Sequence, residues 1–362
     1  MMPRVRGTPR QEKKGGCVDY ATRRPLLKKI AKARRSKVIL YVTGDRRGLE
    51  TQISKEAIDL FVDHLDAIGP SSKVSLILHT NGGDTSAAWR LINLLHTFCD
   101  ELEIIVPLKA MSAGTLLSLG ANNIVMTKQA ALGPIDPSIN DPLNPIVPGT
   151  PNARVSVSVE AVRGYLDAAA AMGIKDGGHA VQLLTHLSSQ VHPLVLGQIF
   201  RSREQIRFLA KKLLKRQVDD DRAKEIIDFL CAESGSHDYT INRREARELG
   251  LTVEKPDDKL YALIKSVHQS YSKELQLLDP YDPAALLAGG ASVQYKLPRA
   301  VIESTAFGCH EFLSEGSLSS VMVPGPQLGI PGMPGFPGVP GPVVGAQAIK
   351  DDRTFEGWRK VA

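Results

Sequence analysis

With 362 residues, 43% of them hydrophobic and 23% charged, the chain is long enough to bury a substantial core and has ordinary globular usage, which excludes fibrous and wholly disordered classes. No apolar run reaches the roughly eighteen residues of a membrane span, and the N-terminus lacks the apolar stretch of a signal peptide, so a cytoplasmic protein is expected. The formal net charge of +6 is weighted toward the N-terminus, from Arg4 to Arg35, but no aromatic residues are interleaved for base stacking, so nucleic acid is not expected as a partner.

Residues 1–22 read as a disordered basic arm. Val38-Ile39-Leu40-Tyr41-Val42 is a β-branched run, Ser54 to Leu65 has helical periodicity, and Val74 to Leu78 is a second apolar run. A helix from Ser86 to Phe98, a strand from Glu103 to Val106, a helix from Ser112 to Leu119 and a strand from Ile124 to Met126 continue the alternation. Strands apolar on both faces and separated by helices predict an α/β core, with helices outside a mostly parallel sheet. Helical periodicity then dominates from Ser156 to Ile227, including Val159 to Ala171 and a basic stretch from Arg201 to Lys215.

These patterns divide the chain into the arm, a domain over 23–255, a C-terminal extension over 256–320 and a Pro/Gly-rich tail over 321–362. Within the tail Gly329, Gly332, Gly335, Gly338 and Gly341 recur at every third position. So few triplets favour a polyproline-II linker over a collagen helix. Trp358 stands beyond them as a lone aromatic.

Cys17, Cys99, Cys231 and Cys309 are scattered, which fits a reducing compartment and gives no zinc-binding pair. His64, His96, His179, His186, His268 and His310 show no metal-ligand spacing either, so neither metal nor cofactor is expected.

Two turns carry the chemistry. His79-Thr80-Asn81-Gly82-Gly83-Asp84 follows a strand and precedes a helix, and its paired glycines let bare N–H groups approach a ligand. Lys109-Ala110-Met111-Ser112-Ala113-Gly114-Thr115 occupies the same kind of position one strand later. Alone, the first is a tight connection and the second a helix cap. Together, at the carboxyl ends of neighbouring parallel strands, they would face each other where α/β proteins bind ligands.

The run from Val74 to Ile139, with N-G-G-D, M-S-A-G-T and L-G-P-I-D-P at these spacings, resembles the Clp protease and signal-peptide-peptidase A superfamily, and within it the serine dehydrogenase proteinases. The resemblance covers roughly Ile39 to Val253. It implies a Clp/crotonase-like fold of repeated β-β-α units, a serine endopeptidase acting on protein or peptide substrates, and a homo-oligomer. Carried over by position, Ser112 takes the place of the nucleophile and the N–H groups of Gly83 and Ala113 that of the oxyanion hole. Fixed amide donors of this kind lower an acyl-transfer barrier by ~3 kcal/mol each.

The pattern departs from the family at the general base. Leu132-Gly133-Pro134-Ile135-Asp136-Pro137 holds no histidine where the Clp type has one, and no lysine lies where the peptidase A type has one; Lys128 is early and Lys175 late. A serine needs a base within reach. His192 is one candidate and His237 another, with Asp238 as the acidic partner ahead of Glu245-Ala246; Asp238 could equally cap a turn. Asn81, Asp84 and Asp136 read as loop-bracing, and His79 and His96 as satisfied structural histidines. Two other readings are an acyl-CoA-processing crotonase-like enzyme, for which Ser112 is surplus, and a non-catalytic scaffold.

Overall fold

The computed structural model describes residues 18–135, 138–139, 141–174, 176–233, 239–323 and 346–362. The first half of the chain comprises α1 (Val18–Arg34), β1 (Lys37–Thr43), α2 (Ala57–Ile68), β2 (Ser71–His79), α3 (Thr85–Phe98), β3 (Cys99–Val106), β4 (Lys109–Ala110), α4 (Ala113–Leu119), β5 (Asn123–Met126) and β6 (Ala131–Leu132). There follow β7 (Ser138–Ile139), β8 (Ile146–Val147), β9 (Thr150–Arg154), β10 (Val157–Ser158), α5 (Val159–Ala171), α6 (Gly177–Gln190), α7 (Pro193–Leu214) and α8 (Asp220–Asp228). The remainder is β11 (Ile241–Asn242), α9 (Arg243–Glu248), β12 (Val253–Glu254), α10 (Asp258–Glu274), α11 (Pro283–Leu287), β13 (Ser292–Ser304), β14 (Gly308–Val323) and β15 (Ala346–Lys360).

The main sheet has eight strands in the order β12-β5-β3-β2-β1-β13-β14-β15. From β12 to β1 every pairing is parallel, and from β1 to β15 every pairing is antiparallel. Side chains alternate across a strand, and here both faces are apolar. Ile39, Tyr41, Leu76, Leu78, Ile104 and Val106 face a layer built from α2, α3, α4 and the ends of α7 and α8. Val38, Leu40, Val42, Ile77 and Ile105 face α1 and α10, through Leu27, Ile30, Leu260, Ile264 and Val267. Burying each such side chain stabilises the fold by about 1.5–3 kcal/mol. The mostly parallel α/β core is the one the alternating apolar runs predict.

The sheet does not stop at Lys255. Helix α10 covers one face of it, and β13 lies against β1 with Val42 opposite Val301. The N-terminal charge run is also partly structural. Arg23 on α1 is fully buried and pairs with Glu303 of β13 and Glu274 of α10. Arg34 pairs with Glu103 of β3 and Glu254 of β12. Residues 1–17 of the expected arm and 324–345 of the Pro/Gly tail lie outside the described residues. Trp358 is not a lone aromatic: it sits in β15 opposite Phe312, the rings edge-to-face at 5.6 Å.

Helices α5 to α7 form a separate small cluster around Val159, Val162, Val195 and Ile199. Helix α6 buries no residue in it. Among the described residues, no helix is long and apolar enough to cross a membrane.

Candidate active site

Both chemistry-bearing turns leave the carboxyl ends of parallel strands, and backbone hydrogen bonds stitch them together. Thr80 N donates to Lys109 O at 3.2 Å, and Met111 N donates to Thr80 O at 3.0 Å. Thr43 Oγ1 donates to Thr80 Oγ1 at 2.6 Å, and that oxygen in turn accepts from Gly82 N at 2.9 Å. The second turn is braced by Thr115, whose hydroxyl donates to Ala110 O at 2.8 Å and accepts from Gly133 N at 3.0 Å.

Close approach explains the glycines. Gly82 and Gly83 have φ of 115° and 140°, where only glycine is unstrained. A Cβ on Gly82 would stand 2.8 Å from Ser112 Cβ, and one on Gly83 would stand 2.4 Å from Ile53 O. The sequence alone did not give Gly82 a role. The structure puts it in contact with Ser112, and the double glycine was the signal for such an approach.

Ser112 itself has φ 50° and ψ −113°, a conformation that costs a non-glycine residue about 1–3 kcal/mol and persists only where its surroundings over-determine it. It precedes α4 but does not cap it through its side chain. Its hydroxyl makes no hydrogen bond among the described residues. The N–H groups of Gly83 and Ala113 are likewise unengaged by described residues: Ile53 N bonds Gly82 O, and Asp84 N bonds Ile53 O, which leaves the Gly83 amide out of that bridge. Asp84 caps α3 by accepting from Ser86 N and Ala87 N, so it braces the loop as expected. Asn81 is exposed.

His192 is engaged as a helix cap, and no hydrogen bond joins it to Ser112 among the described residues. Its Nδ1 accepts from Leu194 N at 3.2 Å, capping α7, and the side chain is exposed. The 22 residues of α7 rise about 33 Å, and its far end touches the foot of α4, where a Cβ on Gly120 would meet Leu213 Cδ2 at 2.9 Å. Because α4 has only 7 residues, or ~10 Å of rise, the His192 backbone lies more than about 10 Å from Ser112 within one chain. His237, Asp238, Asp136 and Lys175 lie outside the described residues. The chain is described again from Tyr239, and Ile241 of β11 pairs with Leu132 of β6, itself paired with Ala110 of β4. The strand that follows His237 and Asp238 is thus two strands from the residue preceding Met111-Ser112. Lys128 is exposed and lies over the Tyr261 ring.

His96 donates from Nε2 to Gly120 O at 2.8 Å. His79 is fully buried at the end of β2, with Nε2 3.3 Å from Asp45 Oδ1 and Nδ1 3.2 Å from the Tyr271 hydroxyl. Lys109 pairs with the other carboxylate oxygen of Asp45. Burial opposes ionisation of Asp45, but the bonds from His79 and Lys109 outweigh it and hold the carboxyl well below its ordinary value. Burial pushes His268 down to about 4, with His79 adding to the shift and Asp45 opposing it. Sequence reading did not connect these residues. Among the described residues, no group of three or more His, Cys, Asp or Glu could hold a metal ion, and Cys99, Cys231 and Cys309 are buried.

Fold and site together define an α/β protein in which two strand-end turns converge on one strained serine. Residues 17–150 match the model of the ClpP-like SDH-type serine proteinase family. Two curated relatives are uncharacterized proteins of Methanocaldococcus jannaschii, one 30% identical over 198 residues and the other 28% identical over 193 residues. The matches cover 54% and 53% of this chain and 59% and 56% of those proteins, so the chain spans less than two thirds of the relatives it matches. Among solved structures, a mutant of the 1510-N membrane-bound stomatin-specific protease aligns over 65% of this chain and 85% of its own, at 16% identity and a TM-score of 0.37. ClpP1 from Listeria monocytogenes aligns over 65% of this chain and 99% of its own, at 14% identity and a TM-score of 0.34.

Proposed function

We propose that this protein is a serine endopeptidase that cleaves peptide bonds through an acyl-enzyme on Ser112. The observation that carries the reading is the strained backbone of Ser112, its hydroxyl unengaged by described residues, in contact with a Gly-Gly turn. In this reading Ser112 Oγ attacks the scissile carbonyl, and the N–H groups of Gly83 and Ala113 receive the developing oxyanion. His237, oriented by Asp238, takes the hydroxyl proton and returns it to the leaving amine; water then hydrolyses the ester with the same base. The short register from Ile241 through Leu132 to Ala110 supports this assignment over His192.

An acyl-CoA-processing role would need no serine at this position, and a scaffold would need no strain there. The reading places the protein in the cytoplasm as a homo-oligomer, acting on protein or peptide substrates without a cofactor.

The test is Ser112→Ala, measured on a fluorogenic casein and on an acyl thioester. Peptide hydrolysis is expected to fall by at least ~10³-fold with the melting temperature kept. Undiminished casein hydrolysis in the folded variant removes the assignment.

A further inference from the structure

We propose that Asp45 is a positioning residue that ties the nucleophile turn to the oxyanion turn through Lys109 and His79; this rests on the reading of Ser112 as nucleophile. Asp45 follows β1, two residues after Thr43, and its side chain is 16% exposed. One carboxylate oxygen lies 3.3 Å from His79 Nε2 and the other pairs with Lys109 Nζ. His79 precedes Gly82 by three residues and Lys109 precedes Ser112 by three. A single carboxylate therefore grips each turn at the point where it leaves its strand.

The grip is oriented from the opposite side. The fully buried Tyr271 on α10 places its hydroxyl 3.2 Å from His79 Nδ1. Burial pushes that phenol well above its ordinary value, so it stays protonated and donates. With His79 Nδ1 accepting from the phenol, Nε2 carries the hydrogen directed at Asp45. The order Tyr271, His79, Asp45, Lys109 runs from the helix layer to the base of the nucleophile turn.

The stability of the sheet comes chiefly from the apolar layers described above rather than from this chain of polar contacts. What it does supply is local. The strained Ser112 backbone must be over-determined by its surroundings, and a misplacement of about 1 Å at a reacting group can cost about a hundredfold in rate. Releasing Asp45 frees both turns at once. A cavity of about 340 Å³ lined by Asp45, His79, Leu108 and His268 opens beside the carboxylate, so water can solvate a truncated side chain there and the variant can fold.

The experiment compares the wild type with Asp45→Ala, Asp45→Asn, Lys109→Met and the double variant Asp45→Ala/Lys109→Met. It reads the rate of fluorophosphonate acylation, kcat and KM on a fluorogenic peptide, amide hydrogen exchange of residues 80–84 and 109–114, and the melting temperature. Asp45→Ala is expected to slow acylation and kcat at least about tenfold with KM within about twofold, and to speed exchange in both turns. Asp45→Asn keeps an acceptor for His79 but turns a donor toward Lys109, so its loss is expected to match that of Lys109→Met. Lys109→Met alone slows acylation, but adds nothing to Asp45→Ala because the two act through one contact.

A folded Asp45→Ala protein that acylates at the wild-type rate, or exchange unchanged in either turn, overturns the proposal. So do losses from Asp45→Ala and Lys109→Met that multiply. Should Asp45→Ala not fold, Lys109→Met decides by the same readouts, since the Lys109 side chain is 25% exposed. A wild-type protein that the probe does not label overturns the reading of Ser112 itself, and the positioning role of Asp45 with it.

Discussion

The two places where the sequence points to chemistry are held in different ways. The Gly82–Gly83 and Ser112 turns are locked into the core: Thr80 bonds both flanks of the second turn, Gly82 touches Ser112, and Gly114 packs where a Cβ would be 2.4 Å from the Thr80 methyl. The His192 end of α7 is the opposite case, an exposed cap beside the small Val195–Ile199 cluster on a helix that meets the main core only toward its far end. In this comparison, backbone pairing fixes the Gly82–Gly83 and Ser112 turns, whereas a histidine that suits a base by composition and order is engaged in capping. Chain order alone does not deliver a proton acceptor to a serine.

The comparison is broken or sharpened most strongly at His237. His237→Ala is expected to lower kcat by about 10²–10⁴-fold, the usual contribution of a general base. A loss under threefold would return the base to an unassigned group.

Gly83→Ala comes next. The added methyl meets Ile53 O in a backbone region that disfavours it, so kcat/KM should drop by roughly 10²-fold as the oxyanion amide shifts. Urea unfolding should lose about 1–3 kcal/mol. Wild-type kinetics would show that this amide is not used.

A third, milder effect concerns the anchoring of the sheet through its later strands. Burial, against the pull of Arg23 and with the push of Glu303 and Glu311, lifts the Glu274 carboxyl to about 7 from its ordinary 4.5. The folded state then holds a proton that the unfolded state has released. The stabilisation from this group is therefore full below about pH 4.5 and is lost as pH rises through about 7. Melting temperatures measured across that window should fall in the wild type relative to Glu274→Gln, and parallel curves would contradict the account.

The smallest effect is expected at His192. Replacing it with Ala should cost about 1 kcal/mol through the lost cap and change kcat by less than about twofold. A large drop in kcat would mean that His192 reaches a serine by a route this fold does not provide within one chain.

The parallel half of the fold was legible because β1, β2, β3 and β5 are buried on both faces and read as unbroken apolar runs. Strands β13 to β15 were not. They alternate apolar residues with Lys296, Arg299 and Glu303, interrupt the pattern with Pro298, and in β15 carry Lys350, Asp351, Asp352 and Arg353 among their side chains. Arg23 looked like one more charge in a basic arm, because nothing near it in sequence announces Glu303, which lies 280 residues away.

At the candidate site, the two turns that the structure brings together were each readable as a local motif. Asp45, His79 and Lys109 were not linked by sequence, since each ends or follows a different strand and only the sheet brings them together. The base was unreadable in kind as well as place, because no histidine or lysine stands at the spacing the family uses.

The most direct test of the central claim is to label the intact protein with a fluorophosphonate and locate the adduct by peptide mass spectrometry. The account predicts a single modified site at Ser112, lost in Ser112→Ala and slowed in Gly83→Ala. An adduct on another serine, or no adduct on the folded protein, would contradict it.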